Sequence, residues 1–389
     1  MKKLISILGS TGSVGLSTLS IIDIKKDYFK PYIFSANKNF KLICKQIDKY
    51  KPKIFVIKNY NTFKKVLKKY KKSKIKFLNN FETIKIKTKS DITVSAIPGI
   101  AGLNPTLKMI ELSKKVLLAN KESIICGWNL ILKKSKKSKT KLVPIDSEHY
   151  SIFKLLENQK IKSVKKIYLT ASGGPFLNFN INRLKKIKPS QALKHPKWKM
   201  GKKISIDSST LMNKIFELVE AQKLFNLSED KVDIIIHPNS LVHAILELEN
   251  GIIKLIYHET SMKIPLANAI FNGKVDIKKF YKTRNSFRFE NLIFKKVDKK
   301  IFPTVQLKKI ITKYPSTPII VNAVNEVLVD QFLSKKIPFL DIYKFILATL
   351  KDSNYKKYAV KKPSNIDQIY LIDLWARQTT MNKIKKKYA

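Results

Sequence analysis

An apolar run at residues 4–8 leads straight into Gly9-Ser10-Thr11-Gly12-Ser13-Val14-Gly15, and then into a helical pattern from Leu16 to Ile22. A strand that turns through three glycines into a helix confines this end of the chain to a βα unit, because residues without a Cβ let the helix start pack closely on the strand end. The alternation continues for about 145 residues, with apolar runs at 32–34, 54–57, 92–97, 116–118 and 142–145 and helical stretches between them, as at 103–113. Such alternation predicts a parallel sheet covered on both faces. The amides of the glycine turn and the helix N-terminus suit a pyrophosphate. The G-x-x-G-x-x-G spacing varies the usual dinucleotide fingerprint, and a tight turn that binds nothing is the plain alternative. The second strand ends in Ser35-Ala36-Asn37-Lys38-Asn39, with no acid and one lysine. A cation there favours a 2′-phosphate, so NADP(H) is expected over NAD(H).

The character changes near Val164. Runs at 164–170, 203–206, 232–236, 242–247 and 252–257 predict a mostly antiparallel sheet with one or two packed helices. A linker rich in Lys, Asn and Phe is expected at 273–300, followed by a helical bundle punctuated by Pro315, Pro318, Pro338 and Pro363. The fold class expected is α/β: a Rossmann-type parallel sheet over 1–146, an α+β catalytic domain over 147–272, and a helical domain over 301–389.

The formal net charge of +50 would by itself suggest nucleic acid or an anionic membrane surface. The cations are nearly all Lys and spread over the whole chain, with Arg only at 183, 284, 288 and 377, whereas base and phosphate recognition favours the Arg fork. Compositional drift explains this better than a dedicated nucleic-acid surface. Cys44 and Cys126 are far apart and in no metal-type spacing, which fits a reducing compartment. No stretch approaches the ~20 apolar residues of a membrane span, and the run after Lys2-Lys3 is too short for a signal core, so a cytoplasmic protein is expected.

Three acids, Asp146, Glu148 and Glu217, stand in apolar or small-polar settings. Residues 141–149 read as a buried strand running to a polar tip, which would place Asp146 and Glu148 on one side. Oxygen-only ligation with no nearby Cys favours Mg²⁺ or Mn²⁺ over zinc. Asp207-Ser208-Ser209-Thr210 reads as the N-cap of a helix on which Asn213, Lys214 and Glu217 share a face, with Glu220 as a competing ligand. Ser172 lies in a phosphate-type turn, Thr170-Ala171-Ser172-Gly173-Gly174-Pro175-Phe176. Lys194-His195-Pro196-Lys197-Trp198-Lys199-Met200-Gly201 lacks apolar periodicity and is expected to belong to a lid spanning about 172–202. Of the histidines, His149 adjoins the acids, His195 is on the lid, His243 is in a strand, and His237 and His258 read as structural.

In order along nearly the whole chain, the glycine turn, Leu118-Ala119-Asn120-Lys121-Glu122-Ser123, the segment 144–149, the turn 171–176, the lid 195–201 and the segment 206–217 closely resemble the 1-deoxy-D-xylulose 5-phosphate reductoisomerase family. The resemblance implies NADPH- and metal-dependent isomerisation and reduction of 1-deoxy-D-xylulose 5-phosphate to 2-C-methyl-D-erythritol 4-phosphate, for isoprenoid precursors. It also implies a homodimer acting on a small phosphorylated sugar, with neither nucleic acid nor membrane as partner. Asp146, Glu148 and Glu217 match its ligands for one divalent cation, Mg, Mn or Co. Lys121, Glu148, His149 and His195 match catalytic positions. Ser147, Ser172, Trp198, Ser208, Asn213 and Lys214, with Lys121, Glu148, His195 and Glu217, match substrate contacts, and His243 aligns with a histidine near the site. NADPH contacts are expected from Gly9, Ser10, Thr11, Gly12, Ser13, Val14 and Gly15, from Asn37, Lys38 and Asn39, and from Gly99, Asn120, Lys121, Glu122, Met200 and Gly201. Pro98 and Tyr150 depart from the family pattern. The alternatives are another NADP-dependent oxidoreductase or a basic nucleic-acid-binding protein.

Overall fold

The computed structural model describes residues 2–198, 200–281 and 291–388. Lys199 of the expected lid, and the middle of the expected linker with Arg284 and Arg288, lie outside the described residues. The chain divides into two units. Among the described residues the first comprises 2–123, 128–150 and 261–281, and the second comprises 124–127, 151–198, 200–260 and 291–388.

In the first unit β1 (Lys3–Leu8) has Ile5, Ile7 and Leu8 without exposed surface, as a strand covered on both faces requires. It joins β2 (Phe29–Ala36), β3 (Ile54–Ile57), β4 (Lys76–Leu78), β5 (Ser90–Ser95), β6 (Ser113–Leu118) and β7 (Lys141–Pro144) in the order β4-β3-β2-β1-β5-β6-β7, every pairing parallel. Only β4 lacks a counterpart among the expected runs, because three residues with one lysine carry too little pattern. The order reverses at β1, with β2 on one side and β5 on the other. That is the switch point at which doubly wound sheets bind ligands. The helix Lys263–Phe271 also packs in this unit, although the sequence groups it with 147–272. Lys115 Nζ caps its C-terminal end, donating to Ala269 O at 2.8 Å and Asn272 Oδ1 at 3.0 Å. Burial, with Lys3 and Lys141 nearby, pushes the Lys115 ammonium down to about 8.

In the second unit β8 (Val164–Ala171), β9 (Val232–Ile236), β10 (Val242–Leu248) and β11 (Ile253–Tyr257) form a sheet of order β11-β10-β8-β9. Two of its pairings are antiparallel, and β8 with β9 is parallel. The run at 203–206 is not a strand. It opens the helix Lys202–Ser209, in which Lys203 reaches Asp207 across one turn at 3.1 Å. The two isoleucines, Ile204 and Ile206, imitate a strand alternation, but a strand would hold Lys203 and Asp207 about 13 Å apart, whereas one helical turn brings them within ion-pair reach. The C-terminal part is helical as expected: Thr317–Leu333 is buried along most of its length and packs with Asp341–Leu350 and Ile366–Tyr388. Among the described residues no helix is long and apolar enough to cross a membrane.

Candidate active site

The glycine turn follows β1. Gly9 has φ +77°, and a Cβ there would lie 2.7 Å from Ala96 O; one on Gly15 would lie 2.4 Å from Gly9 O. Both positions therefore exclude a side chain. Ser10 is turned inward: its amide donates to Ser35 O at 2.8 Å and its hydroxyl to Gln46 Oε1 at 2.6 Å, while Gln46 Nε2 returns a bond to Ser10 O at 2.9 Å. Ser10 thus shapes the turn, leaving Gly12 and Ser13 exposed and Thr11 and Val14 half-buried at the start of the helix Ser13–Ile24. No side chain caps that helix, so its first amides remain available to an anion. Asn37, Lys38 and Asn39 are exposed just beyond β2, and Asn39 Oδ1 also caps the next helix by accepting from Leu42 N at 3.1 Å.

Asn120, buried beyond β6, caps the helix Lys121–Ser138 through Ser123 N and donates to Ile97 O and, at 2.9 Å, to Gly99 O. It thereby ties the Gly99 turn, at φ +71°, to the end of the neighbouring strand. Lys121 and Glu122 open the same helix, and both are buried.

The reading of 141–149 as one extended segment is corrected by the structure. β7 stops at Pro144, and Ser147–Leu155 is a helix. Asp146 O accepts from Tyr150 N at 2.8 Å and its Oδ1 accepts from Glu148 N at 3.2 Å, the bonding of an N-cap. An aspartate before the helix and a glutamate in its first turn also complement the helix dipole, which is why the strand pattern ends here. Asp146 and Glu148 share a helix start instead of a strand face. Around them, Lys121 Nζ stands 3.5 Å from Asp146 Oδ2, the fully buried His149 places Nδ1 3.1 Å from Asp146 Oδ1, and Ser147 donates its hydroxyl to Glu148 Oε2 at 2.5 Å.

In the second unit Ser172 follows β8, and its Oγ lies 3.0 Å from His195 Nε2. His195 Nδ1 accepts from Lys197 N at 3.1 Å and from Trp198 N at 2.9 Å, so the ring proton sits on Nε2 and is donated to Ser172. Burial, then the charge of Lys214, push His195 down to about 4, which keeps the imidazole neutral at neutral pH. Ser172 Oγ also accepts from Gly174 N at 3.0 Å, so its own O–H is left to donate elsewhere. Trp198 packs edge-on against His243, with ring centroids 6.2 Å apart. Met200 is half-buried and Gly201 is the N-cap of Lys202–Ser209.

The expectation that Asp207–Thr210 caps the following helix is corrected in part: only Thr210 reaches it, its Oγ1 accepting from Met212 N at 3.3 Å. These residues close Lys202–Ser209, and the next helix, Met212–Phe225, starts after Leu211 at φ +59°. Asp207 is held by Asn325 Nδ2 at 2.7 Å as well as by Lys203, and Thr304 donates to Thr210 O. A buried carboxylate with these partners cannot turn to cap the next helix. Asn213 and Lys214 both donate to Glu217, Lys214 at 2.5 Å, so the face expected for this helix forms. Glu217 and Lys214 are both buried, which excludes a solvated surface pair. Gln46 and Asn325 carry no motif; their only trace is a buried amide among the apolar residues of a helix, single for Gln46 and beside Asn322 for Asn325.

A doubly wound parallel sheet with a glycine turn at its switch point, joined in one chain to a mixed sheet unit bearing a buried Lys–Glu pair and a Ser–His pair, defines a dinucleotide-dependent oxidoreductase. Family models narrow the class: 1-deoxy-D-xylulose 5-phosphate reductoisomerase matches residues 5–127, its C-terminal domain matches 142–225, and the DXP reductoisomerase C-terminal domain matches 258–379. The 1-deoxy-D-xylulose 5-phosphate reductoisomerase of Pelagibacter ubique (strain HTCC1062) is 44% identical over 375 residues, 95% of this chain and 96% of that protein. A crystal structure of DOX-P reductoisomerase in complex with NADPH, fosmidomycin and magnesium superposes with a TM-score of 0.91 at 30% identity, over 98% of both chains. The Zymomonas mobilis enzyme in complex with NADPH gives a TM-score of 0.88 at 30% identity, over 99% of both. The chain belongs to the 1-deoxy-D-xylulose 5-phosphate reductoisomerase family.

Proposed function

We propose that this protein converts 1-deoxy-D-xylulose 5-phosphate into 2-C-methyl-D-erythritol 4-phosphate by a skeletal rearrangement followed by hydride transfer from NADPH. The reading is carried by the family match along almost the whole chain, including a structural relative in complex with NADPH, fosmidomycin and magnesium. Asp146, Glu148 and Glu217 are the candidate ligands for a divalent cation, each able to offer one carboxylate oxygen; Glu220 is not in that set. Oxygen donors alone suit a hard ion such as Mg²⁺ or Mn²⁺, with Co²⁺ as a third choice. Such an ion, when bound, supplies Lewis acidity to substrate oxygens.

The chain's own residues supply the remainder. His149 and Lys121 orient Asp146, and the Lys121 ammonium places positive charge where the reacting oxygens gain negative charge. The free O–H of Ser172, with Ser208, Asn213 and Lys214, donates to the substrate phosphate, and His195 and Trp198 close over it. Binding energy from that remote phosphate orients the reacting carbons. The glycine turn holds the pyrophosphate, Asn37, Lys38 and Asn39 the 2′-phosphate, and Gly99, Glu122, Met200 and Gly201 the nicotinamide half. In this assignment residues 1–146 bind NADPH, 147–272 carry catalysis and dimerisation, and 301–389 support them.

The protein is proposed to act in the cytoplasm as a homodimer. Ile252, Ile253 and Leu255 are exposed at and beside β11, an edge of the mixed sheet, and apolar side chains on a free edge call for a partner. A scattering mass twice that of one chain is expected, and a monomer at working concentration would remove the dimer from the proposal. The decisive assay follows loss of NADPH absorbance with 1-deoxy-D-xylulose 5-phosphate. Oxidation should need both the sugar phosphate and Mg²⁺ or Mn²⁺, and should stop with chelator. Oxidation independent of the sugar, or none with either metal, would refute the assignment.

A further inference from the structure

His243 on β10 and His258, immediately after β11, lie face to face, with ring centroids 3.8 Å apart and planes 17° from parallel. The strand ladder sets this up: His258 N donates to Leu241 O at 2.9 Å, so the two side chains project from neighbouring antiparallel strands. Both rings are oriented by carbonyls. His258 Nδ1 is 2.8 Å from Glu259 O and His243 Nε2 is 3.1 Å from His258 O; a carbonyl only accepts, so each of these nitrogens carries a proton. His258 Nε2 is then the bare nitrogen, and it is buried with no hydrogen-bond partner among the described residues. Burial, then the adjacent His243, push His258 down to about 3, so its ring is neutral near neutral pH. Trp198 meets His243 in a T-shaped contact, ring planes 74° apart.

We propose that His258 is a positioning residue: stacked on His243, it fixes the plane of that ring and hence the seat on which Trp198 of the closing loop rests. The chain of contact runs His258, His243, Trp198, and all three belong to one unit. Holding that nitrogen bare costs hydrogen-bonding energy that an apolar side chain of similar size would not. The inference rests on the loop serving the substrate proposed above.

The test uses the full chain with NADPH, Mg²⁺ and 1-deoxy-D-xylulose 5-phosphate, comparing His258→Ala and His258→Phe. Loss of the stack in the Ala variant should raise KM for the sugar phosphate roughly tenfold by loosening the loop, with NADPH affinity and the unfolding midpoint little changed. The Phe variant keeps a flat ring and should restore KM. With Trp128 and Trp375 replaced by Phe, the remaining Trp198 emission should shift to the red in the Ala variant and return in the Phe variant. Should the Ala variant fail to fold, His258→Leu fills the volume without a ring and takes its place. An unchanged KM and emission in the variant lacking a ring, or a Phe variant as impaired as that one, would overturn the proposal. If no variant, native chain included, turns over the sugar, the functional assignment fails, while Trp198 emission still decides the stack.

Discussion

Glu217→Gln is expected to reduce turnover by roughly 10²–10³-fold, the loss typical when one oriented electrostatic group is removed from an active site. Glu217 is 1% exposed and carries Lys214 at 2.5 Å and Asn213 on its two oxygens. The amide preserves volume and helix, so what changes is the charge and one of the two acceptors, which becomes an N–H₂ donor facing Asn213 or Lys214. A neutral amide is a poor donor to a hard dication, and it leaves the buried Lys214 without the carboxylate beside it. Two readouts separate these consequences. If Glu217 is a ligand, raising Mg²⁺ or Mn²⁺ should recover part of the lost kcat. If the ion pair alone matters, the unfolding midpoint should fall while metal activation keeps its native midpoint. NADPH titration should be unaffected, because every residue assigned to the pyrophosphate lies in the glycine turn. Native turnover in the variant would end the ligand assignment.

Gly15→Ala should weaken NADPH binding by about 100-fold and cost about 1–3 kcal/mol of stability, the range for overpacking a tight site. The added Cβ would lie 2.4 Å from Gly9 O and 2.7 Å from Ser10 Cα, and neither atom can retreat. Even a Cβ on Gly9 would meet Ala96 O at 2.7 Å, and Ser10 is bound to Ser35 and Gln46. The turn must therefore lift, and its amides lose their aim. Gly12→Ala is the control: its φ is ordinary and its nearest contact, Gly9 O, is at 3.3 Å, so a much smaller loss is expected. Fluorescence titration of NADPH with thermal unfolding of both variants measures this. Equal affinities for the two would mean that the turn does not hold the pyrophosphate.

Where patterns are local, the chain is legible. The period-two and apolar runs of β1, β3, β9 and β10 coincide with the strands found, and the glycine turn stands where it was expected. The Asn213–Lys214–Glu217 face follows from helical spacing alone. The failures have a common cause. At 145–149 and at 203–209 the apolar spacing suits a strand, but the polar residues find partners only in a helix: Asp146 with Glu148 N, Lys203 with Asp207. An isolated window of sequence shows the apolar residues and not those partners.

The parallel N-terminal sheet, its glycine turn, and membership of the family followed from the amino-acid order alone, since each depends on neighbours within a few residues or on motifs in sequence. Tertiary structure alone decided the pairs that are far apart in the chain: Ser172 with His195, Ser10 with Gln46, Asp207 with Asn325, and the two stacked imidazoles of His243 and His258. These contacts form because buried polar groups must find partners wherever the packed chain brings one, and no local periodicity encodes which distant residue that is.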